Sequence, residues 1–409
     1  MKKRLLIVAL VLVAILTLGA CTTGGGGGGA ADEPATTAPA TETPAGEDTP
    51  AAGGGENPNA ADYTFIEPAG TQFDLITYYN SIDPAIDASS ITRSMGGTVR
   101  VPDNPTTAMP KANGDWTIGF SVYNTFDDIG AQILDAMEAA AAEAGVKLLV
   151  NDASYDQNAQ NAAIEQWIVQ KVDGVILAPC DFHGVKDSLD KLEEAGIPVV
   201  TINAPLAGAA DAMVMGDCLE QGEKAGIILM DHFNAEGTDI QGGTIVYQTL
   251  PFVHPNAILR VKGFVDLFDG YDINFIELTG DTIESHYGVF EGAMQANPDM
   301  IGAYGVYDSV TIGMMNASRS AGKHIPLTSV DNDRIILAGI YTGDILGSAC
   351  YSATAPSWWS MNTMINLLNG VEVPGVLFYQ TIAVVPDNVE EMFEHYFYPE
   401  TLQEYLGNQ

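Results

Sequence analysis

Positive charge is what this chain lacks most: 16 Lys and Arg stand against 53 Asp and Glu in 409 residues, a formal net charge of −37. Such a surface repels phosphate backbones and anionic headgroups, which excludes nucleic acid as a partner and disfavours a strongly anionic ligand. Solubility, or a saline or alkaline habitat, accounts for the acidity itself. Cysteine is scarce as well, with Cys21, Cys180, Cys218 and Cys350 the four present. None sits in a CxxC pair or at metal-ligand spacing, so neither a zinc site nor a disulfide framework is expected. The apolar runs all fall short of the roughly 20 residues that span a bilayer. There is no H-E-x-x-H, no glycine-rich phosphate cradle opening a helix, and no supported Ser-His-Asp or Cys-His arrangement. An enzyme is therefore not expected, and no cofactor or metal is implied.

What is present begins at the N-terminus. Lys2, Lys3 and Arg4 precede an apolar run from Leu5 to Leu16, then Leu18-Gly19-Ala20-Cys21. This is the pattern of a secretory signal. Small residues directly before a cysteine resemble the lipobox of bacterial lipoproteins. The resemblance implies that residues 1–20 are removed and that Cys21 is acylated, holding the chain through a lipid anchor to the outer face of the cytoplasmic membrane. Gly24 through Gly29 follow, and residues 30–55 are almost entirely Ala, Thr, Pro, Gly, Glu and Asp. That composition buries too little apolar surface to offset ordering entropy. Residues 21–56 are thus expected to be a disordered linker reaching roughly 30 Å.

Residues 57–115 show only scattered short apolar patches, such as Phe73 to Tyr79, and are expected to be an irregular extension packed on the main body. From Trp116 the pattern becomes regular. Trp116–Val122 reads as a strand, and Ile129, Ile133, Met137, Ala140 and Ala144 recur at helical spacing before Gly145, a helix-stopping residue. Strands at 146–150, 174–179 and 196–203 alternate with helices at 158–172 and 185–195. The rhythm then repeats, with helices at 219–233, 257–267, 284–296 and 310–321 and strands at 244–248, 274–278, 301–306 and 327–331. This βαβα alternation predicts an α/β protein of two doubly wound parallel-sheet lobes. Ligands in such sheets sit at the carboxyl ends of the strands, where the polar residues cluster here.

Over residues 116 to about 390 the chain resembles the type I (ribose/galactose-type) periplasmic binding proteins that feed ABC importers. Gly119-Phe120-Ser121-Val122-Tyr123-Asn124-Thr125-Phe126 is similar to that family's first strand and ligand loop. Asp173 to Pro179 is similar to its third strand, and Ala195-Gly196-Ile197-Pro198-Val199-Val200-Thr201 to the strand ending at a sugar position. Asn369-Gly370 and Thr381–Val385 with Pro386-Asp387-Asn388-Val389 complete the likeness. The resemblance implies a three-strand hinge with crossings near 217, 351 and 381. One lobe would comprise 116–216 plus 352–381, the other 217–351 plus 382–409. It places Asn124 and Phe126 at a polar contact and a ring against the sugar, with Asp127 beside them. Asn203 takes a position that is usually Asp, and Ala204 one that is usually Arg. Ile258 takes the second usual Arg position, with Arg260 two residues on. Tyr307 stands where Asn is common, Asp331 keeps the strand-end Asp, and Tyr351 replaces a Gln. These departures imply a pocket more aromatic and less charged than that of a ribose binder.

Hydroxyls both donate and accept, so Asp and Asn at strand ends suit a sugar or polyol, while Phe126, Tyr307 and Tyr351 can cover its C–H faces. Phosphate would need Lys or Arg, and few lie near these loops. Asp127 and Asp128 equally suit a helix N-terminus. His183, near Asp181, reads as a solvated loop residue, and Trp358 and Trp359 as packing in a helix. Cys218 and Cys350 lie beside predicted crossings and are expected to be buried thiols, a disulfide being the alternative. The resemblance thus implies a monomeric solute-binding lipoprotein that delivers a neutral monosaccharide or polyol to the transmembrane subunits of an ABC permease. A sensor presenting its ligand to a chemoreceptor or histidine kinase, and a nucleoside-binding importer lipoprotein, are the alternatives.

Overall fold

The computed structural model describes residues 66–68, 98–105, 108–126, 128–204, 208–250 and 255–409. The leader, Cys21, the linker and Asp127 lie outside them. Among the described residues the strands form two sheets. The first holds β1 (Ile66–Pro68), β2 (Thr98–Val101), β3 (Thr117–Val122), β4 (Lys147–Asp152), β5 (Gly174–Leu177), β6 (Val199–Ile202), β7 (Ala212–Gly216) and β13 (Val376–Tyr379), in the order β1-β2-β13-β7-β6-β5-β3-β4. The second holds β8 (Gly243–Thr249), β9 (Ile273–Thr279), β10 (Met300–Gly305), β11 (Leu327–Val330), β12 (Gly347–Cys350) and β14 (Ile382–Val384), in the order β14-β12-β11-β10-β8-β9. Pairing is parallel except for β1 with β2 and β12 with β14. The strands β5, β6 and β7 are buried along their whole length, as the continuous apolar runs of sheets covered on both faces require.

The helices follow from their stripes. Helix α1 (Asp128–Ala144) buries Ile129, Ile133, Met137, Ala140 and Ala144, and the chain leaves it at Gly145 with φ +83°, a conformation that only glycine adopts without strain. Next come α2 (Gln157–Gln170), capped by Asp156, and α3 (Lys186–Glu194). In the second lobe α4 (Cys218–Glu236) crosses α5 (Pro255–Asp266) with the two backbones almost touching. A Cβ at Gly222 would collide with the carbonyl oxygen of Arg260, and one at Gly263 with that of Leu219. Glycine at both positions therefore sets how deep α5 lies, and with it Asn256 and Arg260. The helices α6 (Ile283–Ala296), α7 (Asp308–Ala321) and α8 (Arg334–Thr342) complete that lobe's alternation. Helix α9 (Thr354–Leu368) belongs to the first lobe and buries Trp358 and Trp359 in its core. The chain ends in α10 (Val389–Phe397) and α11 (Leu402–Gly407), whose residues Phe393 and Tyr405 pack on the second lobe.

The chain passes from the first sheet to the second after Gly216, returns after Cys350, and crosses again after Tyr379. Between the lobes at this hinge lies a segment that the sequence reading treated as irregular. Residues 98–101 form β2, which pairs in parallel with β13 from Thr98 opposite Val376 to Val101 opposite Tyr379. A four-residue strand whose partner lies far along the chain carries no local periodicity, which is why 98–101 reads as irregular from sequence. This segment touches all three passages. Arg100 pairs with Asp217 at 3.1 Å and with Glu220. Gln380 N donates to Val101 O at 2.9 Å. Asp103 accepts from Ser352 N and faces His395 Nε2 at 3.2 Å, both side chains being buried. Trp359 Nε1 donates to Pro102 O at 2.9 Å. Burial pushes the Asp103 carboxyl above its usual range, against the opposing hydrogen bonds from His395 and Ser352.

Candidate functional site

Two strand ends bend in the same unusual way. Asn203 follows β6 with φ +68°, and Asp331 follows β11 with φ +78°. The left-handed region costs most side chains about 1–2 kcal/mol, and Asn and Asp least. Each strand thus ends in a side chain turned out of the pleat, one from each lobe, onto a shared cleft. The cleft is a cavity of about 1020 Å³ between the lobes.

Its buried end is built on an ion pair. Arg260 donates from Nη2 to Asp331 Oδ1 at 2.8 Å and from Nη1 to Oδ2 at 3.2 Å. It also donates from Nε to Gln221 Oε1 at 2.8 Å and from Nη1 to Val306 O at 2.9 Å, and lies over the Tyr307 ring at 4.8 Å. Arg260 is 2% exposed and Asp331 5%. Burial works against the guanidinium charge, but the adjacent Asp331 outweighs it and holds Arg260 well above its usual range. The expectation of a pocket with little charge needs correction here. Charge is present, neutralised within the wall by a two-point fork.

Asn203 is held from two sides. Its Oδ1 accepts from the Tyr379 hydroxyl at 2.8 Å, and its carbonyl accepts from Asn256 Nδ2 across the cleft at 3.2 Å. Tyr379 packs on Tyr351 with ring centroids 5.1 Å apart. Burial pushes the hydroxyls of Tyr307, Tyr351 and Tyr379 well above their usual range, so all three remain neutral. Asn256, 5% exposed, leaves its Oδ1 without a hydrogen-bond partner.

Of the residues singled out from sequence, Phe126, Asn203, Tyr307, Asp331 and Tyr351 line this cavity. Asn124 does not line it: its Oδ1 accepts from Phe126 N at 3.0 Å, closing the tight turn that presents the Phe126 ring, and the side chain is buried. An Asx turn of this kind commits Oδ1 to backbone and shapes the loop. Asp127 lies outside the described residues. Asp181 Oδ1 accepts from His183 N in an exposed loop that does not line the cavity. Cys218 and Cys350 are buried thiols that are not joined in a disulfide, and burial pushes the Cys350 thiol up. Among the described residues no three His, Cys, Asp or Glu side chains are grouped to hold a metal.

Sequence reasoning assigned no wall contact to Asn256, Tyr155 or the pair Asp128–Arg334, and placed Arg260 only two residues past a usual Arg position. Asp128 and Arg334 meet across the cleft at 2.7 Å, and Arg334 also reaches Glu400 at 2.8 Å. Tyr155 stacks on Tyr123 at 5.5 Å and meets Phe126 edge-on at 5.8 Å. Arg260 and Asn256 share one face of α5, four residues apart, and that spacing was the available signal. The buried end thus offers carboxylate and amide acceptors beside neutral phenols and aromatic faces. It can hold hydroxyls and cover C–H surfaces, and it presents no activated nucleophile.

A family described as a periplasmic binding protein domain matches residues 118–372. The chain is similar to the ribose import binding protein of Bacillus subtilis, with 25% identity over 245 residues, 58% of this chain and 77% of that protein. It is also similar to the xylitol-binding protein of Mycolicibacterium smegmatis, with 23% identity over 301 residues, 69% of this chain and 81% of that one. Among solved structures, an ABC transporter solute binding protein from Mycobacterium smegmatis with bound glycerol superposes with a TM-score of 0.63 at 25% identity. That match covers 68% of this chain and 96% of the other.

Proposed function

Because this chain belongs to the periplasmic binding protein family, we propose that it captures a neutral monosaccharide or polyol between its lobes and delivers it to the permease of an ABC importer. It is a solute-binding protein and not an enzyme. The observation that carries the ligand class is the buried end of the cleft. Asp331 and Asn203 stand there as hydroxyl partners, with Tyr307 and Tyr351 as apolar faces. The relatives named for ribose and xylitol, and the structure with glycerol, support a polyhydroxy solute. A phosphate or carboxylate would meet a guanidinium already spent on Asp331, Gln221 and Val306. In this reading the lobes are 116–216 with 352–381 and 217–351 with 382–409, and the protein acts as a monomer. It works outside the cytoplasm, held by lipid on Cys21 at the cytoplasmic membrane's outer face. Ligand shifts the lobes toward the closed form by its differential affinity for that form, and the permease reads the closed form.

A thermal-shift screen of the full chain against pentoses, hexoses, polyols and nucleosides tests the reading. A ligand at about 100 times its Kd adds roughly 2.7 kcal/mol of stability, several degrees for a protein of this size. A shift with one sugar or polyol class is the expected outcome. A shift with nucleosides alone would replace the ligand class, and none across the panel would overturn the proposal.

A further inference from the structure

The two ends of the cleft differ in chemistry. Four large apolar side chains at the mouth remain exposed: Phe126 at 74%, Tyr155 at 49%, Ile283 at 43% and Ile335 at 40%, all lining the cavity. The first two belong to one lobe and the last two to the other. Three of the polar groups around them already make contacts within the protein. Asp128 is paired with Arg334, Asp281 accepts from the Ser285 hydroxyl at 3.0 Å, and Thr282 Oγ1 accepts from Ser285 N at 3.1 Å as the cap of α6. The mouth therefore offers exposed apolar area on both lobes, whereas the buried end offers acceptors and phenols.

Closure of the lobes does not by itself account for this apolar rim. The lobes are already joined by Asp128–Arg334 at 2.7 Å and Asn256–Asn203 at 3.2 Å, and the four side chains still face open space. Exposed apolar surface at the rim of a concave site marks a place where a ligand group is buried. Resting on the sugar reading above, we propose that the mouth is an aglycone subsite. The solute is a glycoside whose sugar occupies the buried end, and whose apolar or aromatic aglycone lies between Phe126 with Tyr155 and Ile283 with Ile335. A nucleobase is the competing occupant, and the titration separates the two.

Calorimetric titration of the full chain with methyl and phenyl glycosides of ribose, xylose and galactose tests this. For the sugar that binds, the phenyl glycoside should bind about tenfold tighter than the methyl one, from burial of the ring, with a more negative heat-capacity change. In Ile283→Ser/Ile335→Ser, whose sites are exposed and whose melting temperature should hold, that ratio should fall toward one while methyl-glycoside affinity stays. Phenyl glycosides binding no tighter than methyl glycosides would sink the subsite and leave the sugar reading standing. Adenosine or uridine binding more tightly than phenyl riboside would also overturn it. If no free sugar, polyol or glycoside binds, both readings fall together.

Discussion

The two lobes meet on opposite sides of the molecule by different physics. At the hinge the contact is buried: Asp103, held in the first lobe by the pairing of β2 with β13, accepts from Ser352 N and faces His395 of the second lobe. Across the cleft, the Asp128–Arg334 pair has side chains 44% and 29% exposed. A bond made in a dry interior leaves an uncompensated polar group when broken, whereas an exposed ion pair exchanges its partner for water at little cost. The hinge side is accordingly fixed and the cleft side separable. A protein that must release what it captures needs that asymmetry.

The comparison can be broken most severely at the floor of the cleft, where a buried pair sits on the side that should be separable. Arg260→Met strands Asp331 without its partner and should cost about 3–5 kcal/mol in urea denaturation. Replacing both, as Arg260→Met/Asp331→Leu, should recover much of that loss while abolishing solute binding. A single variant losing under about 1 kcal/mol would mean that the pair is not desolvated. At the hinge, Asp103→Ala leaves Ser352 N and the buried His395 ring unmatched, and a loss of about 1–3 kcal/mol is expected. Small-angle scattering of the same variant should show a wider distribution of lobe separations.

Acid sharpens the contrast from behind the mouth. His286 lies on the same helix as Ile283, against Gln248, and is 1% exposed. Burial lowers its pKa below the ordinary 6.5. The unfolded chain therefore binds a proton that the folded chain refuses, so stability is present above about 6.5 and lost as pH falls through the folded value. Urea midpoints between pH 7.5 and 5 should decline, and His286→Gln should flatten the decline. The smallest effect on stability is expected from Arg334→Ala, under about 1 kcal/mol because the pair is exposed. Its signature should be in solute affinity instead. A melting temperature that falls as far as that of Asp103→Ala would erase the distinction between the two sides.

Much of the fold was legible because its determinants are local. The α1 stripe and Gly145 lie within one stretch of chain, and Asn203 and Asp331 announce themselves as polar residues ending apolar strands. What escaped was non-local. Arg260 finds Asp331 71 residues away; from sequence it stands two residues past a usual Arg position, with nothing to name its partner. Nothing near β2 points to Val376–Tyr379 as its partner. Asn124 is ambiguous for the opposite reason: a short polar side chain in a loop suits a ligand and an Asx turn equally, and only the structure shows its Oδ1 accepting from Phe126 N.

The hinge strand has one more consequence. The family match begins at residue 118, but the first sheet begins earlier, since β2 occupies the side of β13 away from β7. The four residues of β13, Val376 to Tyr379, are buried and apolar. A chain begun at residue 118 would uncover them as a bare edge with unsatisfied amides and carbonyls, a template for strand addition by a second copy. The segment ahead of the matched domain covers that edge, and the shortened chain should self-associate more strongly than the full one.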